Sequence, residues 1–166
     1  MIAISRQTVD LSGYPDLHVV YLGMRAHGLG GIRALLKIGP GIAQSAAAKP
    51  DGLLLHEPLY YSLIPPHLGM RQYWRDFESL ERRTREMPHL AWWKEFLTHA
   101  QSVSFWHETY SIRGGMESVY LNTKETGDHP GFLAFAPVID AKTSLFSARR
   151  RLHRGGLETA SPVPED

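Results

Sequence analysis

The sequence contains no cysteine. That excludes disulfides, zinc–thiolate sites, iron–sulfur clusters, thiolate-ligated haem and cysteine nucleophiles. No apolar run approaches the ~20 residues needed to span a bilayer, so no membrane segment is expected. Residues 1–13 lack a basic stretch leading into an apolar one. A secretory leader is therefore not expected, and with no disulfides the chain reads as cytoplasmic. An excess of one charge is missing too: 18 basic residues face 17 acidic ones, for a net charge of +1. With no basic field over the whole chain, general nucleic-acid binding is not expected. Nor is there a His-Glu-x-x-His, a Gly-x-Gly-x-x-Gly, a P-loop or a Gly-x-Ser-x-Gly.

What is present fits one globular domain: 166 residues, 43% hydrophobic and 21% charged. Histidine stands out, with nine copies. It is the strong nitrogen ligand left to a chain without cysteine, and it titrates near neutral pH. The one basic cluster, Arg149, Arg150, Arg151 and Arg154, reads as a solvated tail, with a docking or anion site as the alternative.

Residues 17–24 (LHVVYLGM) read as a buried strand. Gly28, Gly30 and Gly31 suggest a loop. Residues 32–48 have helical spacing, which Gly39-Pro40-Gly41 should split or kink. Residues 53–63 and 67–74 read as strands joined by a hairpin-length turn at Pro65-Pro66. Asp76 suits the N-cap of a helix starting at Phe77, and Pro88 suits the first turn of another reaching about residue 100. Residues 101–112 read as a fourth strand, and the remainder as an irregular extension with one short helix at most. Strand, helix, strand, strand, helix, strand is the split βαβ, ferredoxin-like order of an α+β fold. Its helices cover one sheet face, and in a dimeric α+β barrel a partner's sheet covers the other. The expected organisation is a barrel domain over 1–122, an extension over 123–166, and a homodimer.

Two histidines carry the chemistry. In the helix after Pro88, Trp92, Trp93, Phe96 and Leu97 follow His89 at i+3, i+4, i+7 and i+8, so His89 heads an aromatic stripe. It is either a core histidine bonded to backbone or an axial haem ligand beside a flat apolar slot. In the fourth strand, alternation puts Val103, Phe105 and His107 on one face, and Trp106, Glu108 and Tyr110 on the other. His107 is then a structural histidine or a general acid/base in a pocket. Arg71, in the third strand with His67, Gly69 and Tyr73, wants an anionic partner: Glu57 on the neighbouring strand, a haem propionate or a substrate carboxylate. Arg25 is similarly open.

Gly23-Met24-Arg25, the run Gln72-Tyr73-Trp74-Arg75-Asp76-Phe77-Glu78-Ser79-Leu80-Glu81-Arg82, and Trp106-His107-Glu108-Thr109-Tyr110 followed by Gly115, Glu117, Tyr120 and Asn122 resemble one bacterial family. Its members are described as monooxygenase-like or phenylacetaldoxime-dehydratase-like, and the resemblance spans residues 15–122. That family is more distantly similar to haem-containing aldoxime dehydratases and to carotenoid monooxygenases related to spheroidene monooxygenase. The resemblance implies haem b held by His89, with His107 as the distal acid/base. The reading built on it takes Trp93 and Phe105 as walls, Arg25 as a further cofactor contact and Arg71 as a second catalytic residue, acting on a small apolar substrate. Two departures are clear: Thr123 to Asp128 stand where the family has Met-Pro-Pro and a nearby Gly-Leu, and His27 stands where asparagine is common. A cofactor-free monooxygenase of the same barrel type and a non-enzymatic binder of hydrophobic ligands are the alternatives.

Overall fold

The structure is a computed structural model that describes residues 6–87, 89–98, 101–113, 116, 118, 120–121 and 131–140. The chain forms two compact units, Asp16–Ser111 and the remainder, Met1–Pro15 with Ile112–Asp166. This division differs from one at residue 122. In the second unit, β1 (Arg6–Val9) pairs antiparallel with β6 (Tyr120–Leu121) and β7 (Val138–Asp140), and a 3-10 turn covers Gly131–Ala134. The N-terminal strand and the two late strands were not foreseen. They are short and pair across most of the chain, so local periodicity carries no sign of them. The Arg149–Arg154 cluster lies outside the described residues.

The unit Asp16–Ser111 has the expected order: β2 (His18–Ala26), α1 (Gly28–Ala47), β3 (Leu53–Ser62), β4 (His67–Trp74), α2 (Phe77–Arg85), α3 (His89–Thr98) and β5 (Val103–Ser111). The sheet runs β3-β4-β2-β5, every neighbour antiparallel. This is the ferredoxin-like α+β fold. The β4 boundaries and the start of α2 at Phe77 are those expected. β5 is an edge strand of this sheet, which matters for His107.

Local chemistry accounts for most element ends. Asp76 caps α2, its carboxylate accepting the Ser79 N–H at 2.7 Å. Glu78 in the first turn and Arg82, Arg83 and Arg85 in the last complement the helix dipole. α1 buries Gly31, Ala34, Leu35 and Ile38, one stripe at i, i+3, i+4 and i+7. Its start at Gly28 overturns the expected loop, and it runs through Pro40 instead of splitting. The carbonyl that Pro40 leaves unbonded belongs to Leu36, and Leu36 is exposed, so water can take the lost bond. Lys49, in the left-handed region at φ 47°, and then Pro50 stop the helix.

The helix layer covers the face of the sheet that carries Val20 and Met24 of β2, Trp74 of β4 and Val103 of β5. Met24, Ala26, Ala34, Leu35, Ile38 and Val103 form one core cluster; Val20, Trp74 and Leu80 form another. Each fully buried aliphatic side chain contributes roughly 1.5–3 kcal/mol.

Candidate functional site

Between the two core clusters the helix layer stands off the sheet and leaves a cavity of about 410 Å³. Its floor is Val20, Leu22 and Met24 of β2, Met70, Gln72 and Trp74 of β4, and Phe105 and His107 of β5. Its roof comes from Ile38 and Ile42 of α1, Leu80, Arg83 and Thr84 of α2, and His89, Trp92 and Phe96 of α3. Alternation explains the floor, because these residues share the helix-facing side of each strand. The Phe96 and Phe105 rings meet at 5.3 Å, closing one end between α3 and β5. Trp92 reaches the wall because Gly41 gives it room: a Cβ there would lie 2.9 Å from the Trp92 Nε1.

Two histidines face this apolar space. His89 is partly buried, and its Nδ1 is buried with no hydrogen-bond partner among the described residues. Burial pushes its pKa below the ordinary histidine value; the Thr84 backbone opposes that, and the Arg83 and His107 charges add to it. The ring is therefore a neutral imidazole at neutral pH. His107, on the edge strand, is exposed and lines the solvent-open part of the wall. An edge position removes the burial cost that a central strand would impose. Gln72 is fixed in the floor at both ends of its amide: its Nε2 donates to His56 Nδ1 at 3.1 Å, and its Oε1 accepts from Trp74 Nε1 at 3.2 Å.

Of the residues expected at the site, His89, Phe105 and His107 come together in the cavity. The Trp93 side chain lies outside the described residues. Arg71 and Arg25 are not brought in. Strand alternation sends both to the opposite sheet face, so their expected place beside the two histidines is corrected. Arg71 there donates to Glu57 at 2.7 Å and to the Tyr21 hydroxyl at 2.9 Å, the first of its three candidate partners. Arg25 is exposed. Sequence reasoning missed Arg83, Gln72 and Trp92. Trp92 was signalled by its i+3 spacing from His89, whereas Arg83 sits in a charged run that reads as a solvated face. Among the described residues no group of three or more His, Asp or Glu could hold a metal ion, and no helix is long and apolar enough to cross a membrane.

Residues 17–127 match the family model described as monooxygenase af470-like. The chain belongs to this family. No curated protein matches the sequence. Among solved structures, an aldoxime dehydratase superposes with a TM-score of 0.62 at 18% identity, covering 90% of this chain and 43% of that one. The aldoxime dehydratase OxdRE, crystallised with butyraldoxime, gives 0.64 at 19% identity, covering 89% of this chain and 42% of that one. This chain thus spans less than half the length of either. SnoaB, a cofactor-independent oxygenase from Streptomyces nogalater, gives 0.44 at 15% identity over 57% of this chain and 91% of that one. At these identities the likeness to the two dehydratases establishes the fold.

Proposed function

We propose that this member of the monooxygenase af470-like family is a haem-dependent enzyme of the oxygenase or aldoxime-dehydratase type, acting on a small apolar substrate in the cavity between sheet and helices. One observation carries the reading: a neutral, partly buried imidazole, His89, whose Nδ1 lacks a partner among the described residues, in a wall otherwise built of aromatic and aliphatic side chains. A buried polar atom without a partner is costly, and its retention points to a ligand. Neutral imidazole is the form that ligates iron, and apolar walls suit a flat macrocycle. His89 would hold the haem, and Phe105, with Trp92 and Phe96, would flank it. Haem, when bound, supplies a redox-active, Lewis-acidic iron centre.

The chain's own groups do the rest. His107, reached by solvent, can exchange protons and deliver one from its imidazole to a substrate oxygen or nitrogen. Gln72, held at both ends of its amide, offers a fixed polar edge in the floor. The aliphatic and aromatic walls exclude water from the apolar part of the substrate. Pairing of two such sheets into a homodimer belongs to the same proposal.

The test is an absorption spectrum during haem titration of the wild type and His89→Ala. A Soret band that is lost or shifted in the variant supports the reading. No Soret band in the wild type refutes it and leaves a cofactor-free oxygenase in front. That second reading is favoured by the exposure of His107, which suits a base acting directly on bound substrate. With haem bound, His107→Ala should keep the Soret band and lose turnover.

A further inference from the structure

The cavity wall contains one permanently charged side chain among its described residues, Arg83. Arg83 comes from the last turn of α2, where its neighbours are spoken for. Arg82 donates to Asp51 at 2.7 Å, and Arg85 donates to Glu81 at 2.6 Å. Arg83 instead turns inward, its side chain only 17% exposed. It donates to the Ser45 hydroxyl on α1, and its carboxylate neighbour, Glu86, is 3.7 Å away and half exposed. That spacing makes a loose i,i+3 ion pair, too long for a charge-assisted hydrogen bond. A second, polar recess of about 300 Å³ adjoins the cavity; Ser45, Pro50 and Arg83 line both, and Arg82, Asp51 and Glu86 line the recess alone. The guanidinium thus stands at the boundary between an apolar chamber and a polar one.

Resting on the reading of this cavity as the functional site, we infer that Arg83, with Ser45 beside it, anchors the carboxylate of an otherwise apolar guest, whose body lies in the cavity and whose head lies at the recess. Helix-dipole complementarity explains an arginine in the last turn of α2, but an outward one would serve as well; it does not explain why this one is buried in the cavity wall. A guanidinium fork has five N–H donors and matches a carboxylate in plane. In the recess Arg82 and Arg83 face Asp51 and Glu86, so there is no surplus of positive charge for a dianion, which favours a carboxylate over a phosphate. The guest's carboxylate has two possible sources, an apolar acid substrate or a propionate of the porphyrin.

Binding is measured with two acid–neutral pairs, decanoate against decanol by quenching of tryptophan fluorescence, and haemin against haemin dimethyl ester by Soret titration. Trp74 and Trp92 line the cavity and report on its occupancy. An apolar cavity without an anchor prefers the neutral partner of each pair. With the Arg83 anchor the acid should bind about tenfold or more tightly, Arg83→Gln should abolish the preference, and Arg83→Lys should restore part of it. Preference in the decanoate pair assigns the site to a substrate acid; preference in the haemin pair assigns it to the porphyrin. If neither acid binds, if neither is preferred in the wild type, or if the preference survives in Arg83→Gln, the inference is overturned. The wild-type comparison does not depend on how the variants fold. Failure of the haemin titration alone sinks the haem proposal while decanoate still decides the role of Arg83.

Discussion

Replacing His89 with leucine should stabilise the ligand-free protein while removing its capacity to bind haem. The imidazole Nδ1 is buried without a partner among the described residues. Such a group costs about 1–3 kcal/mol relative to an apolar one of similar shape. Because the residue is only partly buried and the Thr84 backbone contact is given up, the lower figure applies. Leucine is close in volume and lies among Leu80, Trp92 and Phe96. A gain of about 1 kcal/mol at pH 8 corresponds to a rise of roughly 2–4 °C in Tm for a chain of this length. The pH dependence is the stronger check. The folded pKa of His89 lies below the ordinary value of 6.5, with burial as the main cause. Below pH 6.5 the unfolded chain takes up a proton that the folded one resists, so the wild type loses stability that the leucine variant keeps. The variant's advantage should therefore grow as pH falls, by at most about 1.4 kcal/mol per unit, until the folded pKa is passed. Chemical denaturation of the two proteins from pH 8 to pH 5 measures this difference. A variant less stable by more than about 1 kcal/mol at pH 8, or an advantage flat with pH, would refute the reasoning.

Three further substitutions probe the frame around the site. Gly52 has φ +83°, and a Cβ there would run into Ser79, so Gly52→Ala should cost more than about 1 kcal/mol by urea unfolding; a neutral result would mean this turn is misplaced. Asp76→Ala should cost about 1 kcal/mol at pH 7 through the lost cap. The backbone N–H of Ser79, then Arg75, hold the Asp76 carboxyl at about 2, below its ordinary 3.8. The charge-dependent part of this deficit should be intact above pH 4 and fade as pH falls toward 2; a deficit that grows in acid contradicts the capping account. Arg71→Ala removes the bonds to Glu57 and to the Tyr21 hydroxyl and should destabilise the fold by about 1–3 kcal/mol, yet leave binding in the cavity unchanged, because the two lie on opposite sheet faces. A selective loss of haem or decanoate affinity would put Arg71 back at the site.

The parts of this protein legible in its sequence are those fixed locally. Asp76 as a cap, the β4 boundaries and the shared face of His89, Trp92 and Phe96 follow from residues a few positions apart. So does the sharing of one face by Phe105 and His107. Leu97, read as part of the aromatic stripe of α3, is instead exposed. Alternation says which residues share a face but not which face the helices cover. Arg71 and His107 look equally inward in the sequence, and the fold puts them on opposite sides. The edge position of β5 and the pairing of β1 with residues 120–121 and 138–140 are set by contacts far apart in the chain. Arg83 was hidden for another reason. In a run of charges at a helix end, the one that turns inward is chosen by the neighbouring helix, through Ser45.

Whether His107 faces the cavity at all depends on the register of β5 against β2, since a slip of one residue turns every side chain to the other face. Most of the pairing is of backbone and would survive such a slip. Two side-chain contacts are specific to the register: Ser111, across from His18 and hydrogen-bonded to it at 2.7 Å, and Trp106, which lies directly across from Gly23. A Cβ on Gly23 would stand 2.5 Å from the Trp106 Nε1, so the indole occupies the room that glycine leaves. On the same face Trp106 donates to His67 Nε2 at 3.2 Å and packs edge-on against Tyr61 at 5.6 Å. Shifted by one residue, either His107 or Phe105 would oppose Gly23 and lose all three contacts. Gly23 and Trp106 therefore act, beside His18 and Ser111, as a register lock that delivers His107 to the cavity. If so, the two are coupled. Gly23→Ala should cost about 1–3 kcal/mol in the wild type, by overpacking against the indole. In a Trp106→Ala background, where the space is open, the same change should be close to neutral. A double-mutant cycle by urea unfolding should then show a coupling of at least about 1 kcal/mol, well above the ~0.5 kcal/mol within which independent sites add. Additive costs would mean that the register is held elsewhere, and that the placement of His107 owes nothing to the contact between Gly23 and Trp106.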